Sequence, residues 1–167
     1  MVNALNEQIK LETYASFLYL SMSSWCDMQG MEGSAQFMLR QSEEEHLHMM
    51  KIFKYLSEVD AQALVPAIDQ PPHEFETIQS LFKQVYEHEK KVTSSINKLV
   101  ALAHEHKDHS TNVFLQWYID EQREEEALMR SILDKIRLIG DGPQSLYFID
   151  LEIAKVNKAA AAAAMAE

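Results

Sequence analysis

An all-α fold is predicted: a four-helix bundle of the up-down, long-crossover, up-down kind, with a short fifth C-terminal helix. Three observations predict the bundle. Four long segments carry apolar residues at alternating steps of three and four. The 4 glycines and 4 prolines fall at the breaks between them. The links run short, long, short.

The first helix is expected from about Asn3 to Gln29, stopping at Gly30. The second starts near Ser34, read as its N-cap, and runs to about Asp60. Ala61–Glu74 holds Pro66, Pro71 and Pro72 and is read as non-helical. The third helix runs from about Phe75 to His106, and the fourth from about Ser110 to Ile139, ending at Gly140. Asp108 and His109, between them, read as polar loop. A fifth helix spans about Ser145–Asn157. The tight first and third links make their helices antiparallel neighbours. The Ala61–Glu74 link can reach roughly 46 Å when extended, and a helix of the predicted length is about 40 Å long. The crossover can therefore run the length of the bundle.

At 167 residues and 47% hydrophobic content, one domain with a sizeable core is expected. Residues 1–157 form that domain; 158–167, with alanines from Ala159 to Ala164, are a low-complexity tail excluded from functional reasoning. A net charge of −11 argues against nucleic acid or an anionic membrane as partner and suits cations. Cys26 alone cannot form an internal disulfide. No apolar stretch approaches the roughly 20 residues of a membrane span, and the Met1–Glu7 segment does not read as a signal peptide. A cytoplasmic location is expected.

The functional signal lies in the stripes. The first reads Leu5, Gln8, Glu12, Ala15, Tyr19, Met22, Cys26; the second Ala35, Met38, Ser42, Glu45, Met49, Ile52, Leu56, Val59. The third reads Phe75, Ile78, Phe82, Val85, Glu89, Val92, Ile96, Leu99, Ala103; the fourth Leu115, Tyr118, Gln122, Glu125, Met129, Ile132, Ile136, Ile139. Near the middle of each apolar stripe stands one carboxylate: Glu12, Glu45, Glu89 or Glu125. Because the helices alternate in direction, the four meet at one height. A buried ionised carboxylate costs several kcal/mol, and no lysine or arginine lies on these stripes. The groups must either protonate or bind cations. Two divalent ions balance four carboxylates. His48 follows Glu45 by three residues on nearly the same face. Such Glu-x-x-His pairs occur in di-iron bundles, and carboxylates with one imidazole suit iron or manganese better than zinc. A lone Glu-x-x-His is common without a metal; four coincident interruptions are not. Of the other histidines, His73, His88, His104, His106 and His109 read as solvated face or loop. Glu44, Glu121 and Glu124 lie beside the first layer and could hold a third ion with Glu125, or simply face water.

These residues resemble the ferritin family, specifically bacterial non-haem ferritin, over nearly the whole chain from Leu5 to about Val156. Leu5-Asn6-Glu7-Gln8, Phe114-Leu115-Gln116-Trp117-Tyr118, Glu121-Gln122 with Glu124-Glu125-Glu126, and Leu146-Tyr147-Phe148-Ile149-Asp150 carry the resemblance. It implies iron storage with ferroxidase activity: oxidation of Fe(II) by dioxygen at a two-iron centre, without haem, and storage as a mineral. Glu12, Glu45 and His48 would hold the first iron, and Glu45 would bridge to a second held by Glu89 and Glu125. Gln122 would stand near the first iron and its oxygen ligand. Tyr19 matches the family's tyrosine beside the centre. Glu44, Glu121, Glu124 and Glu125 match the bacterial third iron site. The family assembles as a homo-oligomeric shell of 24 subunits with the fifth helix at the four-fold axes. Bacterioferritin would place a second Glu-x-x-His where Gln122-x-x-Glu125 stands. Two rivals are a di-iron oxidase on the same bundle and a metal-free helical scaffold.

Overall fold

The computed structural model describes residues 1–164, all of whose regular structure is helical. The five helices are α1 (Val2–Met28), α2 (Glu32–Glu58), α3 (Ile78–Glu105), α4 (His109–Ile139) and α5 (Ser145–Ala164). The expected order and topology are borne out. Helices α1 and α2 pack as one antiparallel pair and α3 and α4 as the other.

The helix ends follow backbone chemistry. Gly30 takes a φ of +75°, and the Met31 N–H returns to the Cys26 carbonyl, a Schellman-type closure that favours glycine. The same 6→1 bond closes α2 (Ala61 to Leu56) and α3 (Asp108 to Ala103), with Asp60 and Lys107 at positive φ. Three expected starts move. Ser34 does not cap α2, which already begins at Glu32. The first-turn N–H groups of Gly33 and Ser34 are instead met by the Asp150 carboxylate of α5, at 2.9 and 2.7 Å. A Cβ on Gly33 would lie 2.5 Å from the Asp150 carbonyl oxygen, so glycine is needed for α5 to approach this closely. Helix α3 begins at Ile78 rather than Phe75, because Thr77 and Ser80 form a reciprocal capping box. Asp108 is the N-cap of α4, bonded to the Thr111 N–H, rather than plain loop.

The crossover, residues 59–77, lies along α1 in the same direction. Asn6 binds the backbone of Gln62 and Leu64, and Ser21 binds the Pro72 carbonyl. The prolines keep it extended while side chains of α1 satisfy its backbone. Helix α5 runs past Asn157 to Ala164, so the alanine run up to that point is helical, in keeping with alanine's helix propensity. The rest of the expected tail, 165–167, lies outside the described residues.

Two apolar clusters fill the bundle. One holds Tyr19, Met22, Phe37, Phe82 and Ile132 and continues under α5 through Ile149 and Ile153. The other holds Leu5, Ile9, Ile52, Ile96 and Leu115. The stripes predict this core closely; Val59 is the exception, exposed because α2 has already ended. Between the clusters lies the polar layer.

Candidate metal centre

All four helices contribute one carboxylate to this layer. Glu12, Glu45 and Glu89 are each 1% exposed and Glu125 6%. The surrounding helices bury them, as the interrupted stripes require. Glu12, Glu45 and His48 converge most tightly: one ligand atom from each lies within 4.8 Å of the others. Glu89 and Glu125 lie beside this group, close enough for Glu89 to repel Glu45 and for both Glu89 and Glu45 to repel Glu125.

Neutral donors hold most of these carboxylates. Gln8 donates to Glu12 Oε1 at 2.9 Å and accepts from the Ser95 hydroxyl at 2.6 Å. Gln122 donates to Glu89 Oε2 at 3.0 Å, and the Tyr19 hydroxyl donates to Glu89 Oε1. Gln41 reaches both oxygens of Glu125 at 3.3 Å. Glu45 faces the Glu12 carboxyl and His48, whose Nδ1 lies 3.4 Å from Glu45 Oε2. Glu12 Oε2 and Glu45 Oε1 are buried with no partner. Orphaned buried oxygens are rare in folded proteins, and an ion between them would account for both.

Electrostatics point the same way. Burial, reinforced by the other carboxylates, raises the Glu12 and Glu125 carboxyls well above their usual range, and it raises Glu45 and Glu89 as well. Tyr19 is pushed up by burial and by Glu89, so it remains a protonated phenol. Burial opposes a charge on His48, but Glu121, Glu45 and Glu12 outweigh it and bring its pKa to about 11. The surrounding carboxyls therefore favour a proton on His48, and a metal taking a ring nitrogen competes with that proton. His48 is held by its backbone carbonyl, which accepts from the Tyr118 hydroxyl at 2.7 Å, and by the edge of Trp117.

The ferritin-like domain profile matches residues 2–139. The chain belongs to the ferritin family. A non-heme ferritin-like protein of Haemophilus influenzae is 46% identical over 157 residues, covering 94% of this chain and 95% of the relative. A bacterial non-heme ferritin of Campylobacter jejuni is 46% identical over 156 residues, covering 93% of each. An open-pore ferritin of the archaeon Archaeoglobus fulgidus superposes with a TM-score of 0.89 at 44% identity, covering 92% of this chain and 93% of that one. As a ferritin, the chain stores iron and takes part in its oxidation, and its kind assembles as a multi-subunit shell. No helix among the described residues is long and apolar enough to cross a membrane.

In this ferritin the second acidic layer is only partly gathered. Glu121 Oε1 lies 3.7 Å from His48 Nε2. Glu44 is half-buried, paired with Arg40 through Oε1, and leaves Oε2 buried without a partner. Glu124 is exposed. The amide of Gln122 is spent on Glu89 rather than on Glu12 or His48.

A further expectation is overturned. His88 is not solvated face; it is 8% exposed, packed between the rings of Tyr14 and Tyr19, with Nε2 unpartnered. Its pKa falls to about 4, through burial and the nearby Lys91. Sequence reasoning also passed over Gln41 and Ser95. Gln8 stood on its stripe, one turn before Glu12, and its polarity there was the available signal. Gln41 lies one residue off the second stripe, and nothing in the sequence alone pairs it with Glu125.

Proposed function

We propose that this ferritin is a ferroxidase that oxidises Fe(II) with dioxygen at a two-iron centre and stores the product as a mineral. Glu12, Glu45 and His48 hold one ion, Glu89 and Glu125 the other, and Glu45 bridges them. The observation that carries this is the buried Glu12–Glu45–His48 cluster, with one orphaned oxygen on each glutamate. Two Fe(II) ions held side by side supply two electrons to one dioxygen; the redox chemistry belongs to the metal.

The chain's own residues bind, orient and move protons. Gln8, Gln41 and Gln122 donate to Glu12, Glu125 and Glu89, turning their remaining lone pairs inward. His48 would offer a ring nitrogen to the first ion. Tyr19, its hydroxyl on Glu89, is placed to pass an electron or a proton to the second position. Glu44, Glu121 and Glu124, with Glu125, form a third, weaker ion site. The shell has 24 copies and resides in the cytoplasm. The outer face of α5 exposes Leu146, Tyr147, Phe148 and Leu151, apolar surface suited to burial between subunits.

The test mixes metal-free protein with two Fe(II) per subunit in air and follows Fe(III) absorbance by stopped flow. The expected result is rapid oxidation that Glu45→Ala slows by about a hundredfold or more. A rate equal to protein-free buffer, or an unaffected Glu45→Ala variant, overturns the reading.

A further inference from the structure

We propose that Arg40 is a positioning residue that keeps the third ion site weak and ties that site to the docking of α5. This deepens the third-site reading above and rests on it. Arg40 lies on α2, one turn before Glu44. Its guanidinium fork is engaged on three sides. Nε donates to the Asn157 side-chain oxygen at 2.7 Å, Nη1 to Glu44 Oε1, and Nη2 to the Gln41 side-chain oxygen at 3.2 Å. Gln41 then donates to Glu125. One planar group therefore joins α5, a carboxylate of the second acidic layer, and a ligand of the two-iron centre.

Two consequences follow. Glu44 has one oxygen occupied by Arg40, and only the buried, unpartnered Oε2 remains for an ion. The guanidinium cannot deprotonate, so a fixed positive charge stands at the edge of the layer that would receive a third cation. The Arg40 and Glu44 side chains are 19% and 31% exposed, so solvent screens this repulsion only in part. The third ion is accordingly held loosely, as suits an ion that must move on to storage. Asn157 keeps the guanidinium aimed. It lies seven positions beyond Asp150, which already fastens α5 to the start of α2. Loosening α5 would free Arg40 to swing away from Glu44.

The test is anaerobic calorimetric titration of assembled, metal-free shells with Fe(II), giving separate dissociation constants for the first two ions and the third. Arg40→Gln, which removes the charge, is expected to tighten the third ion by about tenfold, with a smaller effect on the first two. Arg40→Lys keeps the charge but loses the fork that Asn157 aims, so it should tighten the third ion by no more than about two- to threefold. Asn157→Ala, which leaves the charge but frees its aim, should tighten the third ion by about two- to threefold. An unchanged or weakened third ion in Arg40→Gln overturns the proposal, as does Arg40→Lys behaving like Arg40→Gln. If the unsubstituted shell takes up only two ions per subunit, the third-site reading falls and this proposal with it. If three bind and Arg40→Gln has no effect, the proposal alone is refuted.

Discussion

The apolar clusters and the carboxylate layer between them are built from the same four helices, yet they contribute to folding with opposite sign. In the clusters, Phe82, Ile52 and Leu56 are fully buried with nothing polar to satisfy, and each stabilises the fold by about 1.5–3 kcal/mol. In the layer, four carboxyls lie in the same interior with one imidazole among them, and burial raises the pKa of each carboxyl. The difference teaches where function resides. The clusters keep the helices in register, and that register forces the glutamates together at a cost that only protons or metal ions relieve.

The apolar clusters carry the largest expected effect. Phe82→Ala should destabilise the fold by about 3–5 kcal/mol, measured by denaturant unfolding. A cost below about 1 kcal/mol would mean the cluster does not carry the bundle.

His88 sharpens the boundary between the regions. Its folded pKa of about 4 lies below the ordinary histidine value. The unfolded chain therefore takes up a proton between about pH 6.5 and 4 that the fold refuses. Its contribution to stability is fully present above that window and is lost as pH falls through it, by up to about 3 kcal/mol. Unfolding curves at pH 7 and pH 4 should show this loss, and His88→Gln should remove that component. An identical pH profile in the variant would place His88 in solvent.

The smallest of these effects has the reversed sign. Glu89→Gln keeps an oxygen to accept from Tyr19 but removes the buried charge. At neutral pH the metal-free variant should be more stable than the parent by about 1–3 kcal/mol. Because the Glu89 pKa is raised in the fold, the parent is least penalised below the usual carboxylate range and loses stability as pH rises through the raised value. The variant's advantage should therefore shrink on acidification. A variant less stable than the parent at neutral pH would contradict a strained carboxylate layer.

The sequence made much of this legible. Glu12, Glu45, Glu89 and Glu125 stood out because each breaks an otherwise apolar period, and helix geometry turns that period directly into burial. What it concealed depends on contacts distant in the chain. Asp150 caps α2 from the far end of the chain, and Arg40 meets Asn157 across a similar sequence separation; no local pattern records either pairing. His88 is adjacent in sequence to Glu89 and just off the stripe. It is buried because Tyr14 and Tyr19 of α1 cover it, which a reading of α3 alone does not show.

On the proposed function, metal ions relieve the repulsion built into the middle of the bundle. Thermal unfolding of the metal-free shell, with and without excess Fe(II) under strict exclusion of oxygen, tests it most directly. Stabilisation of about 2.7 kcal/mol or more is expected once free Fe(II) exceeds its dissociation constant a hundredfold, and it should vanish in a Glu12→Gln, Glu45→Gln double variant. A melting temperature unmoved by Fe(II), or moved equally in parent and variant, would contradict it.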